Sequence, residues 1–359
     1  MKTKIANGLK SITFFLIISV FFNVFMSDVI TKNVFAAQTG TSEIVIDTDS
    51  GRVLYENNAD QKREIASTTK IVTAITVIEN FDVSKNVCVK KEWTNVEGSS
   101  VYLREGENLT VEELLYALML RSGNDCAVTL ACALSENIEN FCLKMNETAK
   151  KAGAESSNFL NPHGLSEKNH YSTARDLAYI TAYALKNELF AKIVSTKKIK
   201  IGNGESTRVL INKNKLLSNY EYATGVKTGY TKNAGRCLVS SATKNGFNLV
   251  CVVLNCGPMF ERSEELFNET YCDFKRVLLA EKQQILTYAK VKNKKLYLPL
   301  GTNEDLYYPL KQSELNDVKI ELNVYPLEKI PIDCKKEMGT IKISLKNRLL
   351  FDKKIYTII

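Results

Sequence analysis

Two apolar runs, Arg236 to Thr243 and Phe247 to Leu254, flank the dipeptide Asn245-Gly246. Asn-Gly tolerates the positive φ values of a two-residue turn, so the runs are predicted to be neighbouring antiparallel strands. A second hairpin pattern lies near the other end of the chain. There, Thr41 to Glu56 alternates, turns at Asp49-Ser50-Gly51 and resumes with Val53-Leu54-Tyr55. Between the hairpins the period is helical. Ile71, Ala74, Ile75 and Ile78 share one face, and Thr110-Val111-Glu112-Glu113 is a capping box that opens a helix carrying Leu114, Leu115, Leu118 and Met119. That helix stops at Arg121-Ser122-Gly123-Asn124; others run through Val128, Ala131 and Leu134 and from about Ala174 to Lys186. Val226 to Thr231 is short and strand-like, and Ser263 to Lys282 reads as one more amphipathic helix. Strands begin and end this region and helices fill its middle. The predicted class is α+β, an antiparallel sheet packed against a helical cluster.

The texture changes after residue 285. Four of the six prolines lie there, Val318, Ile320, Leu322 and Val324 alternate, and so do Ile341, Ile343 and Leu345. Residues 286–359 are expected to form a small all-β domain, separate from a catalytic domain over 37–285. At the other end, Lys2, Lys4 and Lys10 precede an apolar run from Ile12 to Met26, followed by Val34-Phe35-Ala36. This is the pattern of a secretory signal peptide over 1–36; the alternative is an uncleaved N-terminal anchor, disfavoured by a short apolar run that Ser19 and Asn23 break, and either places the protein outside the cytoplasm. Removing it leaves 44 basic and 39 acidic residues, a net charge of +5. That mild excess suits an anionic cell-wall setting, and no basic cluster points to nucleic acid. The nine cysteines are odd in number and irregular in spacing, and they contain no Cys-x-x-Cys pair. They read as small buried hydrophobes.

Within the helical middle, Ser67-x-x-Lys70 opens a helix. Alone the pattern is weak, since it recurs at Ser195–Lys198 and Ser241–Lys244. Lys227-Thr228-Gly229, however, is the only Lys-[Ser/Thr]-Gly in the chain. Order and setting discriminate: Ser-x-x-Lys at a helix start, Ser122-x-Asn124 between two helices, Lys-Thr-Gly on a strand. A serine hydroxyl needs an adjacent base to become a nucleophile. Ser67 and Lys70, three apart on a helix, are close enough for proton transfer. A lysine is a base only when neutral; burial and a second cation, for which Lys227 is the candidate, both favour that state. The Ser67 N–H at a helix start favours a developing oxyanion. The only histidines, His163 and His170, sit in a turn and a polar loop, read as structural or surface residues, and offer neither a triad nor a zinc ligand set.

This motif order resembles that of the penicillin-recognising enzymes. The stretches "GRVLYENNADQKREIASTTKIVTAIT", "LTVEELLYALMLRSGNDCAVTLA", "NFLNPHGL" and "GVKTGYTKNAGRCLVSSA" resemble D-alanyl-D-alanine carboxypeptidases of the low-molecular-mass penicillin-binding type. The resemblance covers about 38–285 and implies a β-lactamase/transpeptidase-like fold. It implies removal of the terminal D-Ala from peptidoglycan pentapeptide stems through an acyl-enzyme on Ser67. It implies that neither metal nor cofactor takes part and that β-lactam antibiotics act as covalent inhibitors. It further implies that the Tyr230 N–H is the second oxyanion donor and that Ser122 relays a proton to the leaving nitrogen. Asn124 would orient the substrate amide and Lys70. Lys227 and Thr228, with Thr231, would hold the peptide carboxylate, and Gly229 is counted with them among the substrate-binding residues.

A class A β-lactamase would share these motifs, but its Glu-x-x-Leu-Asn segment has Ser157 in the Glu position here. An endopeptidase or transpeptidase would use the same residues. A catalytically silent wall-binding protein would have lost Ser67 or Lys70. Relatives often end in an amphipathic helix on the membrane; the last residues here, Phe351 to Ile359, lack that pattern, which leaves attachment to a membrane surface open.

Overall fold

The computed structural model describes residues 40–328 and 336–358. The expected signal segment over 1–36 and Cys334 lie outside the described residues. In chain order the first elements are β1 (Ser42–Asp47), β2 (Val53–Asn57), helix α1 (Lys70–Asn80), a small hairpin of β3 (Asn86–Cys88) and β4 (Asn108–Thr110), and α2 (Val111–Tyr116). Then come α3 (Asn124–Ser135), α4 (Ile138–Lys151), α5 (Ala174–Leu185), α6 (Glu188–Ser195), a hairpin of β5 (Lys198–Ile201) and β6 (Arg208–Ile211), and the short α7 (Leu216–Asn219). The catalytic region closes with β7 (Ala223–Thr231), β8 (Gly235–Lys244), β9 (Phe247–Leu254) and α8 (Met259–Asp273).

The two hairpins read from the sequence join in one antiparallel sheet of order β2-β1-β9-β8-β7, in which β1 pairs with β9. The first and last parts of this region are thus adjacent, and β7 is an edge strand. Alternation along β1 and β9 assigns side chains to two faces. Ile44, Ile46, Val250 and Val252 enter the large core shared with α1 to α6. Val45, Leu249, Cys251 and Val253 meet Leu266, Phe267 and Tyr271 of α8 on the opposite face. Burial on both faces explains why β9 reads as a nearly continuous apolar run; each fully buried large side chain contributes about 1.5–3 kcal/mol.

The Thr110 capping box is present: Glu113 N–H donates to Thr110 Oγ1 at 3.1 Å and Thr110 N–H to Glu113 Oε2 at 2.9 Å. The pattern at Asn137, whose side chain caps α4 by accepting from Asn140 N–H at 2.7 Å, has no counterpart in the sequence reading. The predicted helix over Ser263 to Lys282 is corrected. Helix α8 ends at Asp273, and Phe274–Ala280 forms strand β10, paired with β13 (Leu306–Lys311). The apolar residues of this segment suit a helix or a strand, and the distant partner β13, by taking its backbone donors and acceptors, decides for the strand. The change to β-structure therefore begins ahead of the expected 285/286 boundary.

Strands β11 (Thr287–Lys290), β12 (Tyr297–Gly301), β14 (Val318–Val324), β15 (Glu337–Leu345) and β16 (Arg348–Thr357) form a second antiparallel sheet of order β11-β12-β16-β15-β14. It has its own core around Leu300, Ile341, Ile343 and Ile355. Arg52 links the β1–β2 hairpin to the β10–β13 pair and the turn after it: its guanidinium donates to Pro309 O and Glu314, both at 2.6 Å, and lies over the Phe274 and Tyr308 rings. Of the eight described cysteines, Cys126, Cys142, Cys237, Cys251 and Cys256 are buried and all eight are free. Among the described residues no helix is long and apolar enough to cross a membrane.

Candidate active site

The chain enters α1 through a 3₁₀ turn, Ala66–Thr69, so Ser67 stands at the opening of a helical segment whose next residues are buried. Ala66 has φ +48°, a left-handed conformation that costs a residue with a Cβ roughly 1–2 kcal/mol. Two glycines make room around this turn. A Cβ on Gly164 (φ +86°) would stand 2.0 Å from Ala66 O, and one on Gly229 would stand 3.1 Å from the amide nitrogens of both Ser67 and Thr68. The Gly of Lys-Thr-Gly thus brings edge strand β7 against the serine's backbone.

Lys70 is fully buried. Its Nζ donates to Ser67 Oγ at 3.0 Å, Asn124 Oδ1 at 2.7 Å and His163 O at 2.6 Å. Among the described residues no carboxylate pairs with it. Burial first, and the Lys227 ammonium second, hold its pKa well below the usual lysine value. In the neutral form the two N–H groups stay on the two carbonyl oxygens and the contact to Ser67 reverses, the hydroxyl donating to the Nζ lone pair. His163 contributes through its backbone carbonyl, which side-chain reasoning could not anticipate. His170, read from sequence as a surface or structural residue, is buried. Its Nδ1 accepts from Leu160 N–H at 3.1 Å, so Nε2 carries the proton and donates to Thr69 Oγ1 at 2.9 Å. Burial pushes its pKa down to about 4.

A wide π turn, Ala117–Arg121, carries α2 to Ser122, whose left-handed φ of +65° ends the helix. Asn124 opens α3; its Nδ2 donates to Glu97 O at 2.6 Å and its N–H to Ser99 O at 2.7 Å. Its amide is thereby fixed with the oxygen on Lys70. The buried Asp125 carboxylate accepts from Ser100 Oγ at 2.6 Å and from the N–H groups of Val101 (3.2 Å) and Leu103 (3.1 Å). These bonds pin the 97–103 segment beside the site.

A cavity of about 580 Å³ opens here, lined by Ser67, Ser99, Ser122, Lys213, Thr228, Gly229, Tyr230, Arg236, Met259 and Phe260. Of the residues singled out from sequence, Ser67, Ser122, Thr228, Gly229 and Tyr230 face it. Lys70, Asn124 and Lys227 stand behind its wall, and Thr231 accepts the Ala234 N–H at 3.0 Å outside it. Lys227 is buried, donates to Thr228 O at 2.8 Å, and has a pKa pushed down to about 7 by burial and then by Lys213. Sequence reasoning missed Ser99, Lys213, Arg236, Met259 and Phe260, which carry no motif. No carboxylate appears among the described residues of the lining, while two cations do. Ser157, in the position of the lactamase glutamate, is tied to Ser172 at 2.7 Å and Asp176 at 2.6 Å, away from the cavity.

A serine bonded to a buried, carboxylate-free lysine beside an edge strand is the arrangement of a serine peptidase. Residues 30–257 match the peptidase S11 family, described as D-alanyl-D-alanine carboxypeptidase. The chain belongs to the D-alanyl-D-alanine carboxypeptidase family. With the family come hydrolysis by a serine peptidase, penicillin binding, and a role in the cell wall. Residues 274–358 match a second family, the penicillin-binding protein 5 C-terminal domain, whose start coincides with β10. The D-alanyl-D-alanine carboxypeptidase DacF of Bacillus subtilis is 32% identical over 330 residues, 89% of this chain and 85% of its own. Penicillin-binding protein 5 of Haemophilus influenzae superposes with a TM-score of 0.71 at 26% identity, covering 88% of this chain and 96% of that one. The Streptomyces K15 DD-transpeptidase gives 0.61 at 33%, covering 64% of this chain and 96% of that one. This carboxypeptidase-family chain therefore carries both parts, the peptidase and the C-terminal β-structure.

Proposed function

We propose that the protein removes the terminal D-Ala from peptidoglycan stem peptides ending in D-Ala-D-Ala, with Ser67 as nucleophile and neutral Lys70 as its base. The observation that carries this reading is the Lys70 Nζ bond to Ser67 Oγ at 3.0 Å, on a lysine whose other acceptors are two carbonyl oxygens. Lys70 takes the hydroxyl proton as Ser67 Oγ bonds to the penultimate carbonyl carbon. The N–H groups of Ser67 and Tyr230 receive the oxyanion. The C–N bond then breaks, Ser122 passes the proton to the departing D-Ala nitrogen, and the acyl-enzyme remains. Water attacks the ester, returning the Ser67 hydroxyl and releasing the shortened peptide. Asn124 holds Lys70 in place and orients the substrate amide. The Thr228 hydroxyl binds the terminal carboxylate, and Gly229 lets the peptide lie along β7. Lys227 acts from behind the wall, through its charge on Lys70. A lining without a carboxylate suits a substrate that brings its own negative charge.

Secretion through the 1–36 segment is part of the same proposal, as is a division into a catalytic domain and a C-terminal β domain. Chromatography of a D-Ala-D-Ala peptide after incubation tests the reading. Free D-Ala is expected with wild type and not with Ser67→Ala. Rapid multiple-turnover penicillin hydrolysis without D-Ala release would instead establish a lactamase.

A further inference from the structure

The C-terminal sheet ends on one side in β14, whose outer edge pairs with no strand among the described residues. Side chains alternate along it between two faces. Ile320 pairs with Ile343 of β15 and Leu322 with Ile341, and both isoleucines lie in the core of this sheet. Val318, Ile320, Leu322 and Val324 therefore belong to the core-side face. Val318 and Val324, at the strand's ends, are partly covered by that core, but Ile320 is 48% exposed and Leu322 37%. The apolar layer runs out to the edge and stops there uncovered. On the other face Lys319 and Glu321 are exposed, and neither has an ion-pair partner among the described residues.

A free edge offers backbone N–H and C=O groups to another strand, and proteins blunt such edges with proline, bulges or short strands. The opposite edge, β11, is only four residues long. β14 has seven residues and no proline, and its register with β15 runs without a shift. The charges that it carries have opposite signs and are separated by one residue, which makes the strand complementary to itself in one register. In an antiparallel pair related by a two-fold axis normal to the sheet, the axis passes through one residue and its copy. Axes at Ile320, Glu321 or Leu322 pair most of the strand with itself. At Ile320, Lys319 of each copy stands opposite Glu321 of the other, Val318 opposite Leu322, and Ile320 opposite its own copy. At Glu321 two carboxylates would stand face to face, which is destabilising. At Leu322, Glu321 would face Asn323 and no charge would be matched.

We propose that two copies of this chain join edge to edge through β14, antiparallel about a two-fold axis at Ile320, so that their C-terminal five-stranded sheets become one continuous sheet. The pairing satisfies the outward backbone groups of both strands and covers Ile320 and Leu322 with the apolar residues of the second copy. Two Lys319–Glu321 pairs set the register on the opposite face. A contact of one strand edge is small for a specific interface, so the dimer is weak and forms with rising concentration.

Sedimentation velocity over a series of protein concentrations tests this by charge reversal. Wild type should pass from monomer to dimer as concentration rises. Lys319→Glu and Glu321→Lys each replace two matched pairs by two like-charge pairs, and each should weaken the dimer by about ten- to hundredfold. Added salt should narrow that gap, because these exposed charges are screened. Mixing the two single variants should restore dimers, since every Glu then faces a Lys; a folding defect in either variant could not be repaired in this way. The double reversal, Lys319→Glu with Glu321→Lys, should dimerise like wild type. A wild type that stays monomeric throughout leaves the edge to a strand of another protein and overturns the proposal. So does a dimer indifferent to either single reversal, which joins through another face. A mixture or a double reversal that stays dissociated also overturns it, because the Ile320 register requires both to pair.

Discussion

Replacing Lys227 by Met should make the protein's stability less dependent on pH and move the pH profile of acylation. The Lys227 pKa falls from 10.5 to about 7 in the folded chain, chiefly because the ammonium is buried. Below pH 7 both folded and unfolded states carry the proton, and the full cost of burying a charge is present. From pH 7 towards 10.5 the folded state releases the proton while the unfolded chain keeps it, so stability rises with pH. The whole shift corresponds to about 5 kcal/mol, of which about 2 kcal/mol accrues between pH 7 and pH 9. Met fills similar volume and does not titrate. Trp93, the single tryptophan, is buried in the large core beside the catalytic helices and reports their unfolding by fluorescence. Urea unfolding of both proteins at the two pH values gives the comparison. Wild type should gain about 2 kcal/mol over Lys227→Met between pH 7 and pH 9. Buried tyrosines and cysteines titrate in both proteins and cancel in the difference. Freed from the second cation, Lys70 holds its proton to higher pH in the variant. For the same reason the acidic limb of the acylation profile should move to higher pH. A stability difference that stays flat between pH 7 and pH 9, or an acidic limb moved to lower pH, would show that Lys227 keeps its proton in the folded chain or exerts no charge on Lys70.

Lys70→Arg keeps a permanent charge where a neutral amine is required, and stopped-flow acylation by penicillin should slow by about 10²–10⁴-fold. Gly229→Ala puts a Cβ 3.1 Å from the Ser67 and Thr68 nitrogens. It should cut kcat for D-Ala release about tenfold or more with little change in melting temperature. Because no described carboxylate lines the cavity, the penicilloyl adduct should outlive many peptide turnovers, as a mass-spectrometric decay course would measure. The peptide acyl-enzyme loses D-Ala and opens to water, whereas opened penicillin stays tethered.

Local signals were the readable part of this chain. The Asn245-Gly246 hairpin, the Thr110 capping box and the helix after Ser67 each depend on neighbours in sequence, and each stands where the residues indicate. The segment Phe274–Ala280 was misread because its state depends on β13, far along the chain. The motif pairs could be joined from their order, since the chemistry demands a base beside Ser67. Burial and then the Lys227 charge lower the Lys70 pKa, which the placement of two lysines in these motifs leads one to expect. The expected grip of Lys227 on the substrate carboxylate does not follow from the geometry, since strand alternation turns it away from Thr228. Lys213, Arg236, Met259 and Phe260 reach the cavity from separate segments, and nothing local marks them. The His163 carbonyl on Lys70 was hidden for another reason: a backbone group has no sequence signature.

Acylation of Ser67 with the help of Lys70 is the step on which the proposed reaction depends. Intact-mass analysis after incubation with penicillin, followed by mapping of the modified peptide, tests it most directly. One added penicilloyl group is expected, carried by the segment that contains Ser67, and no adduct on Ser67→Ala. An adduct on another segment, or equal labelling of Ser67→Ala, would contradict it.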